Sequence, residues 1–143
     1  MLSLDDSAVC NTVIESAISR PWEDGTEFLC LTAIPTLTQY FYDIQDSHEI
    51  ESLEIQRNQK VQANHHRLQG IADSIKTKLP KCKVSFDVIG GDPREVIVEK
   101  AKEWGARLII VGSRGKNWMD RILIGSVSEA IATWSECSVE VVK

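Results

Sequence analysis

A chain of 143 residues, 43% hydrophobic and 26% charged, has the size and composition of one globular domain spanning residues 1–143. Such a chain buries roughly two-thirds of its unfolded surface. Sixteen Lys and Arg against 21 Asp and Glu leave a net charge of −5, which argues against a DNA-binding face and against docking on an anionic membrane.

No apolar run approaches the roughly 20 residues a membrane helix needs. The start, MLSLDDSAV, lacks the basic and apolar regions of a signal peptide. Cys10, Cys30, Cys82 and Cys137 lie far apart, and His48, His65 and His66 have no cysteine at ligand spacing. The cysteines therefore read as reduced, mostly buried fillers in a cytoplasmic protein, with neither a disulfide framework nor a zinc site.

In chain order, a strand stub over Met1–Leu4 leads to Asp5-Asp6-Ser7. Val9, Val13, Ile14, Ala17 and Ile18 then form a helical stripe, with Asp6 or Ser7 available as its cap. FLCLTAI (28–34) is a strand. PTLTQYFYDIQDS (35–47), with Tyr40, Phe41 and Tyr42, is a long loop expected to pack its aromatics on the sheet edge.

A polar-coated helix follows from about Glu49 to Lys78, with His65 and His66 on its solvated face. VSFDVI (84–89) alternates as an outer strand does. Asp92-Pro93 caps and starts a helix that Gly105 stops. LIIV (108–111) is apolar on both faces, as a buried parallel strand is. Ser126 to Trp134 is a short helix and VEVV (139–142) the last strand. Trp104 and Trp134 read as core anchors, and Trp118 as either a nucleotide shield or a packing residue.

Strands alternating with helices predict an α/β fold with a mostly parallel sheet covered on both faces. Ligands of such sheets bind beyond the carboxyl ends of the strands, where strand order reverses. There the sequence places Gly112-Ser113-Arg114-Gly115, then nine residues, then Gly125-Ser126-Val127-Ser128 and a helix. Glycines allow close backbone approach or a positive φ. Consecutive free N–H groups form an anion nest, and a helix start bearing Ser126 and Ser128 favours a phosphate. Arg114, Lys116 and Arg121 add positive charge inside an acidic chain. The pattern is neither a Walker A loop nor the Rossmann fingerprint.

This G-2x-G-9x-G-S spacing resembles the ATP-binding signature of the universal stress protein family. Asp5-x-Ser7 resembles its Asp-Gly-Ser, and Gly91-Asp92-Pro93 its Gly-x-Pro. The resemblance covers essentially the whole chain. It implies an open, twisted, five-stranded parallel sheet in the order 3-2-1-4-5. It also implies that Asp5 contacts adenine, Ala33 walls the base, and the backbones of Val111 and Gly112 border the nucleoside. Gly115, Gly125, Ser126, Val127 and Ser128, with Arg114 beside them, would cradle ribose and phosphates. ATP, ADP or AMP is the implied ligand, with Mg²⁺ held through phosphate oxygens.

Three departures stand out. Only Met1–Leu4 precede Asp5, so the central first strand is truncated: either further chain precedes Met1 or the sheet tolerates a half-length centre. Arg107 stands where an acidic residue is usual, at the strand's entry. Ser138 and Glu140 replace commoner residues in the last strand, through which (Val139–Val142) the family resemblance implies a homodimer. Glu140 there either turns to solvent or weakens the pairing.

The function implied is a small adenine-nucleotide-binding stress-response or signalling protein that changes conformation or protein partner with nucleotide state. Since the motif carries hydroxyls, glycines and cations but no carboxylate except Asp120, catalysis is expected to stop at slow hydrolysis or autophosphorylation of Ser126 or Ser128. Two alternatives stand beside it. One is a nucleotide-free dimeric interaction module of the same family. The other is an adenylating enzyme of the adenine-nucleotide α-hydrolase-like group, whose phosphate loop after strand 1 Asp5-Asp6-Ser7-Ala8 does not match.

Overall fold

The computed structural model describes residues 1–36, 47–113 and 124–143. The aromatic loop residues Tyr40, Phe41 and Tyr42, and Arg114, Gly115, Lys116, Trp118, Asp120 and Arg121, lie outside the described residues. The elements are β1 (Leu2–Ser3), α1 (Cys10–Ile18), β2 (Glu27–Ile34), α2 (Ser47–Lys78), β3 (Lys83–Gly90), α3 (Pro93–Trp104), β4 (Leu108–Gly112), α4 (Ser126–Trp134) and β5 (Ser138–Val142). All strands run parallel in the order β3-β2-β1-β4-β5.

The apolar runs explain the layers. Alternate residues of one strand face opposite sides of a sheet, and a strand apolar at every position feeds two cores. Ile110, Phe28 and Cys30 pack with Val13, Leu68 and Ile75 of α1 and α2. Ile109, Leu29 and Leu31 pack with Val96, Ile97 and Ile131 of α3 and α4. The two-residue β1 sits at the centre, with Leu2 opposite Cys30 and Ile110, and Ser3 opposite Leu31 and Val111. Met1 and Leu4 extend its bonding on both sides: Ile110 N–H donates to the Met1 carbonyl at 2.9 Å, and Leu4 N–H to the Leu31 carbonyl at 2.8 Å. Leu2 and Leu4 are buried, each contributing about 1.5–3 kcal/mol. The truncated strand thus keeps its core contacts.

Local chemistry sets the helix ends. The Asp92 carboxylate accepts from the Arg94 N–H, Pro93 begins α3, and Gly105 ends it in the left-handed region at φ 68°. The start of α1 differs from expectation. Val9 is its N-cap, without a side-chain bond. Asp5 Oδ1 instead accepts from the Ser7 N–H at 3.1 Å and from the Ser7 hydroxyl at 2.5 Å. The Ser7 hydroxyl is committed to this turn before the helix begins.

Trp104 packs against the α3–α4 core, but Trp134, the last residue of α4, is 53% exposed. There the chain leaves the helix for β5 and nothing described covers the ring. His65 is exposed as expected, yet its ring meets Phe86 edge-on, with centroids 4.9 Å apart.

Candidate functional site at the carboxyl ends of β1 and β4

The strand order reverses between β1 and β4, so their carboxyl ends border a crevice. The pairing of Ser3 with Val111 brings Leu4 level with Gly112 and Asp5 level with Ser113. The pairing of Ser3 with Leu31 brings Asp5 level with Ala33. Asp5, Ala33, Val111 and Gly112 therefore share one edge of the sheet. Val111 is buried, so only its backbone faces that edge. Asp5, Ala33 and Gly112 are half-buried.

Gly125 is brought to the same edge by a bond from its N–H to the Ser113 carbonyl at 2.8 Å. The Ser113 N–H in turn donates to the Val142 carbonyl at 2.6 Å. The exit of β4 and the start of α4 are thereby fixed together. Gly125 is the N-cap of α4 at φ −66° and makes no side-chain cap bond. Neither Gly112 nor Gly125 has a positive φ. Neither position therefore needs glycine for its dihedral angle.

The three residues after Gly125 differ in what they present. Ser126 is exposed at the first turn of α4. Val127 packs its side chain into the α3–α4 core, so it meets the edge through its N–H alone. Ser128 is 2% exposed. Its hydroxyl donates to the Gly125 carbonyl at 2.9 Å, with the Ser113 carbonyl at 3.4 Å. The sequence reading takes Ser128 as an offered hydroxyl; in the fold that hydroxyl braces the loop. The Ser113 hydroxyl is also enclosed and has no partner among the described residues.

Sequence reasoning missed Arg67. It reaches from α2 to the Asp5 carbonyl, with Nη1 at 2.8 Å, and to the Thr32 hydroxyl, with Nη2 at 3.2 Å. The Thr32 hydroxyl itself donates to the Leu4 carbonyl at 2.6 Å. Cys10 lies beside the same guanidinium, at 3.6 Å from Nη1. Burial raises the Cys10 thiol pKa above its ordinary value, against the smaller opposing pull of Arg67, which keeps it a thiol. A second α2 guanidinium, Arg57, stands over Gly90 at the end of β3. A Cβ added at Gly90 would lie 3.2 Å from Arg57 Nη2. Only helical periodicity could have hinted at these placements, since Arg57, Asn64 and Arg67 continue the stripe that Leu68 and Ile75 bury.

Among the described residues, no three His, Cys, Asp or Glu gather into a metal cluster. A cavity of about 730 Å³ opens at the opposite, amino-terminal end of the sheet, between Met1, Trp22, Phe28, Trp104, Arg107 and Leu108. None of the predicted site residues lines it.

The sequence model described as "Universal stress protein family" matches residues 1–143. This chain belongs to the universal stress protein family. Universal stress protein Sll1388 of Synechocystis sp. is 28% identical over 153 aligned residues, covering 100% of this chain and 96% of that protein. Universal stress protein YxiE of Bacillus subtilis is 32% identical over 114, covering 79% of this chain and 68% of that one. Among solved structures, universal stress protein UspA from Lactobacillus plantarum superposes with a TM-score of 0.80 at 17% identity, covering 99% of this chain and 95% of that chain. The family match and the 3-2-1-4-5 sheet agree with the resemblance carried by the glycine-serine spacing.

On the last strand, Glu140 departs from the expectation that it turns to solvent. Its carboxylate folds back onto the end of α1, where Arg20, just beyond the helix, grips it with two nitrogens, both at 2.7 Å, and the Ser16 hydroxyl of α1 donates to it. The hydrogen bonds from Arg20, then Ser16, hold its carboxyl below the usual range.

Proposed function

We propose that this protein binds ATP at the carboxyl edge of β1 and β4 and acts in a cytoplasmic stress response by changing conformation or partner with nucleotide state. The carrying observation is the start of α4. It has no side-chain cap, presents Ser126, and is held at the switch point by the Gly125–Ser113 bond. A helix start without a cap offers free N–H donors and the positive end of the helix dipole, which suits a phosphate.

In this reading Asp5 and Ala33 meet adenine, and the Val111 and Gly112 backbones border the nucleoside. Gly115, Gly125, Ser126, Val127 and Ser128 surround the phosphates, with Arg114 adding charge. Ser128 contributes its N–H and the bracing of its hydroxyl. Mg²⁺ arrives with the triphosphate and is held through its oxygens.

Two proteins of this fold support an adenine nucleotide as the ligand class. A universal stress protein was solved in complex with cAMP, at 19% identity and a TM-score of 0.63. One from Arabidopsis thaliana was solved with AMP bound, at 17% identity and a TM-score of 0.63.

Mass spectrometry of ligand released from the purified protein tests the reading. Recovery of an adenine nucleotide supports it. A ligand-free protein whose melting temperature ignores added ATP favours the interaction module instead. Release of pyrophosphate from ATP would indicate adenylation. The outer edge of β5, paired among the described residues with β4 alone, also supports a homodimer through Val139–Val142. Size-exclusion with light scattering decides between monomer and dimer.

A further inference from the structure

We propose that Arg67 is a positioning residue that sets base selectivity by holding the Asp5 end of the cleft; the inference rests on the nucleotide reading above. Arg67 lies 62 residues from Asp5 in sequence, on the helix that crosses from β2 to β3. Its guanidinium gathers four pieces of chain. Nη1 donates to the Asp5 carbonyl at the exit of β1 and faces Cys10 at the start of α1. Nη2 donates to the Thr32 hydroxyl, one residue before Ala33, and to Asn64 of α2 itself at 3.3 Å.

The bonds at Asp5 fix a direction as well as a place. Its carbonyl is held by Arg67 and its Oδ1 by the Ser7 N–H and hydroxyl. Turning the Asp5 peptide would break bonds at both ends of the residue. The Thr32 hydroxyl ties the neighbouring strand into the same cluster through the Leu4 carbonyl. Strand pairing sets Asp5 level with Ala33, the two residues assigned to the base, and Arg67 adds a tie between Asp5 and the neighbouring Thr32 without needing to touch the ligand.

The chemistry requires a guanidinium. The acceptors belong to separate elements and are served by two nitrogens at the tips of a rigid fork, whereas a lysine offers donors from a single point. Among the described residues Arg67 Nε is enclosed without a partner, and the two terminal nitrogens make the hydrogen bonds. The described part of the phosphate end, Ser113, Gly125 and Ser128, shares no bond with Arg67 among the described residues. Selectivity for the base and affinity for phosphates are therefore separable.

The test compares the parent with Arg67→Lys and Thr32→Val, titrating each with Mg-ATP, Mg-GTP and inorganic triphosphate and recording each melting temperature. The expected result is a parent that prefers ATP over GTP. In Arg67→Lys that preference falls by about tenfold or more, the scale of a misplaced polar contact to a base, while triphosphate binding changes less than about twofold. Thr32→Val moves the preference the same way by less, and serves if Arg67→Lys does not fold. An unchanged ATP-to-GTP ratio, or equal weakening of all three ligands alongside a lowered melting temperature, overturns the positioning role. A parent that binds ATP and GTP equally also overturns it and leaves the nucleotide site standing. A parent that binds neither overturns both.

Discussion

The Gly125 N–H donates to the Ser113 carbonyl at 2.8 Å, so the end of β4 and the start of α4 meet although twelve positions separate them. That bond turns a spacing in the sequence into a place in space. It sets the uncapped first turn of α4 at the strand-order reversal, where a parallel sheet leaves its crevice. Ser128 reinforces it from beneath by donating to the Gly125 carbonyl.

Ser128→Ala removes this brace. The hydroxyl is buried, but the Gly125 carbonyl keeps the Glu129 N–H at 2.9 Å, so neither partner is left wholly bare. The expected loss is about 1 kcal/mol, read as a lower midpoint in urea with an unchanged m-value. A loss above about 3 kcal/mol would mean that the brace holds more of the fold than this loop.

Two glycine-to-alanine changes should have opposite signs. Gly91 has φ +151°, and an added Cβ would lie 2.5 Å from Val96 Cγ2, inside the α3 core. Gly91→Ala is expected to cost more than about 1 kcal/mol. Gly70 lies in α2 with nothing among the described residues within 4 Å of an added Cβ, and Gly70→Ala should gain about 0.5–1 kcal/mol from helix propensity. Chemical denaturation of both variants checks the pair of signs.

Glu140 gives a pH dependence. Arg20 first, then Ser16, hold its folded carboxyl below the ordinary value of 4.5. A depressed acid stabilises the fold fully above its unfolded pKa, and this contribution is lost as pH falls through the folded value. Arg20 and Glu140 side chains are 37% and 29% exposed, so solvent screening limits the contribution to about 0.5–1 kcal/mol. Glu140→Gln should therefore melt lower than the parent at pH 7, and the two should converge as pH falls below 4.5. Parallel curves down to pH 2 would contradict the assignment.

The period of the apolar residues made the strands, the helices and their alternation legible. The doubly apolar LIIV run predicts two covered faces, and Ile109 and Ile110 do enter opposite cores. The Asp92-Pro93 and Gly105 signals mark both ends of α3. The glycine-serine spacing pointed to the crevice because its parts flank β4 and begin α4.

Side-chain partners were less legible. Periodicity assigns a residue to a face but not to a neighbour. Arg67 reaching Asp5 and Glu140 turning to Arg20 depend on contacts between elements distant in sequence, while Ser128 turns inward to the Gly125 carbonyl just before α4. Ser7 does not cap α1 because Asp5, two residues earlier, accepts its hydroxyl.

Isothermal titration of Mg-ATP into the parent and Ser126→Asp tests the central claim most directly. A carboxylate in the first turn of α4 favours the helix dipole, so the variant should melt no lower than the parent. The same carboxylate repels phosphate where the free N–H groups would receive it. The account predicts micromolar binding by the parent, about −8 kcal/mol, and at least about tenfold weaker binding by the variant. A folded parent that gives no heat and no thermal shift with excess Mg-ATP would contradict it, leaving the glycine-serine segment as a structural closure between β4 and α4.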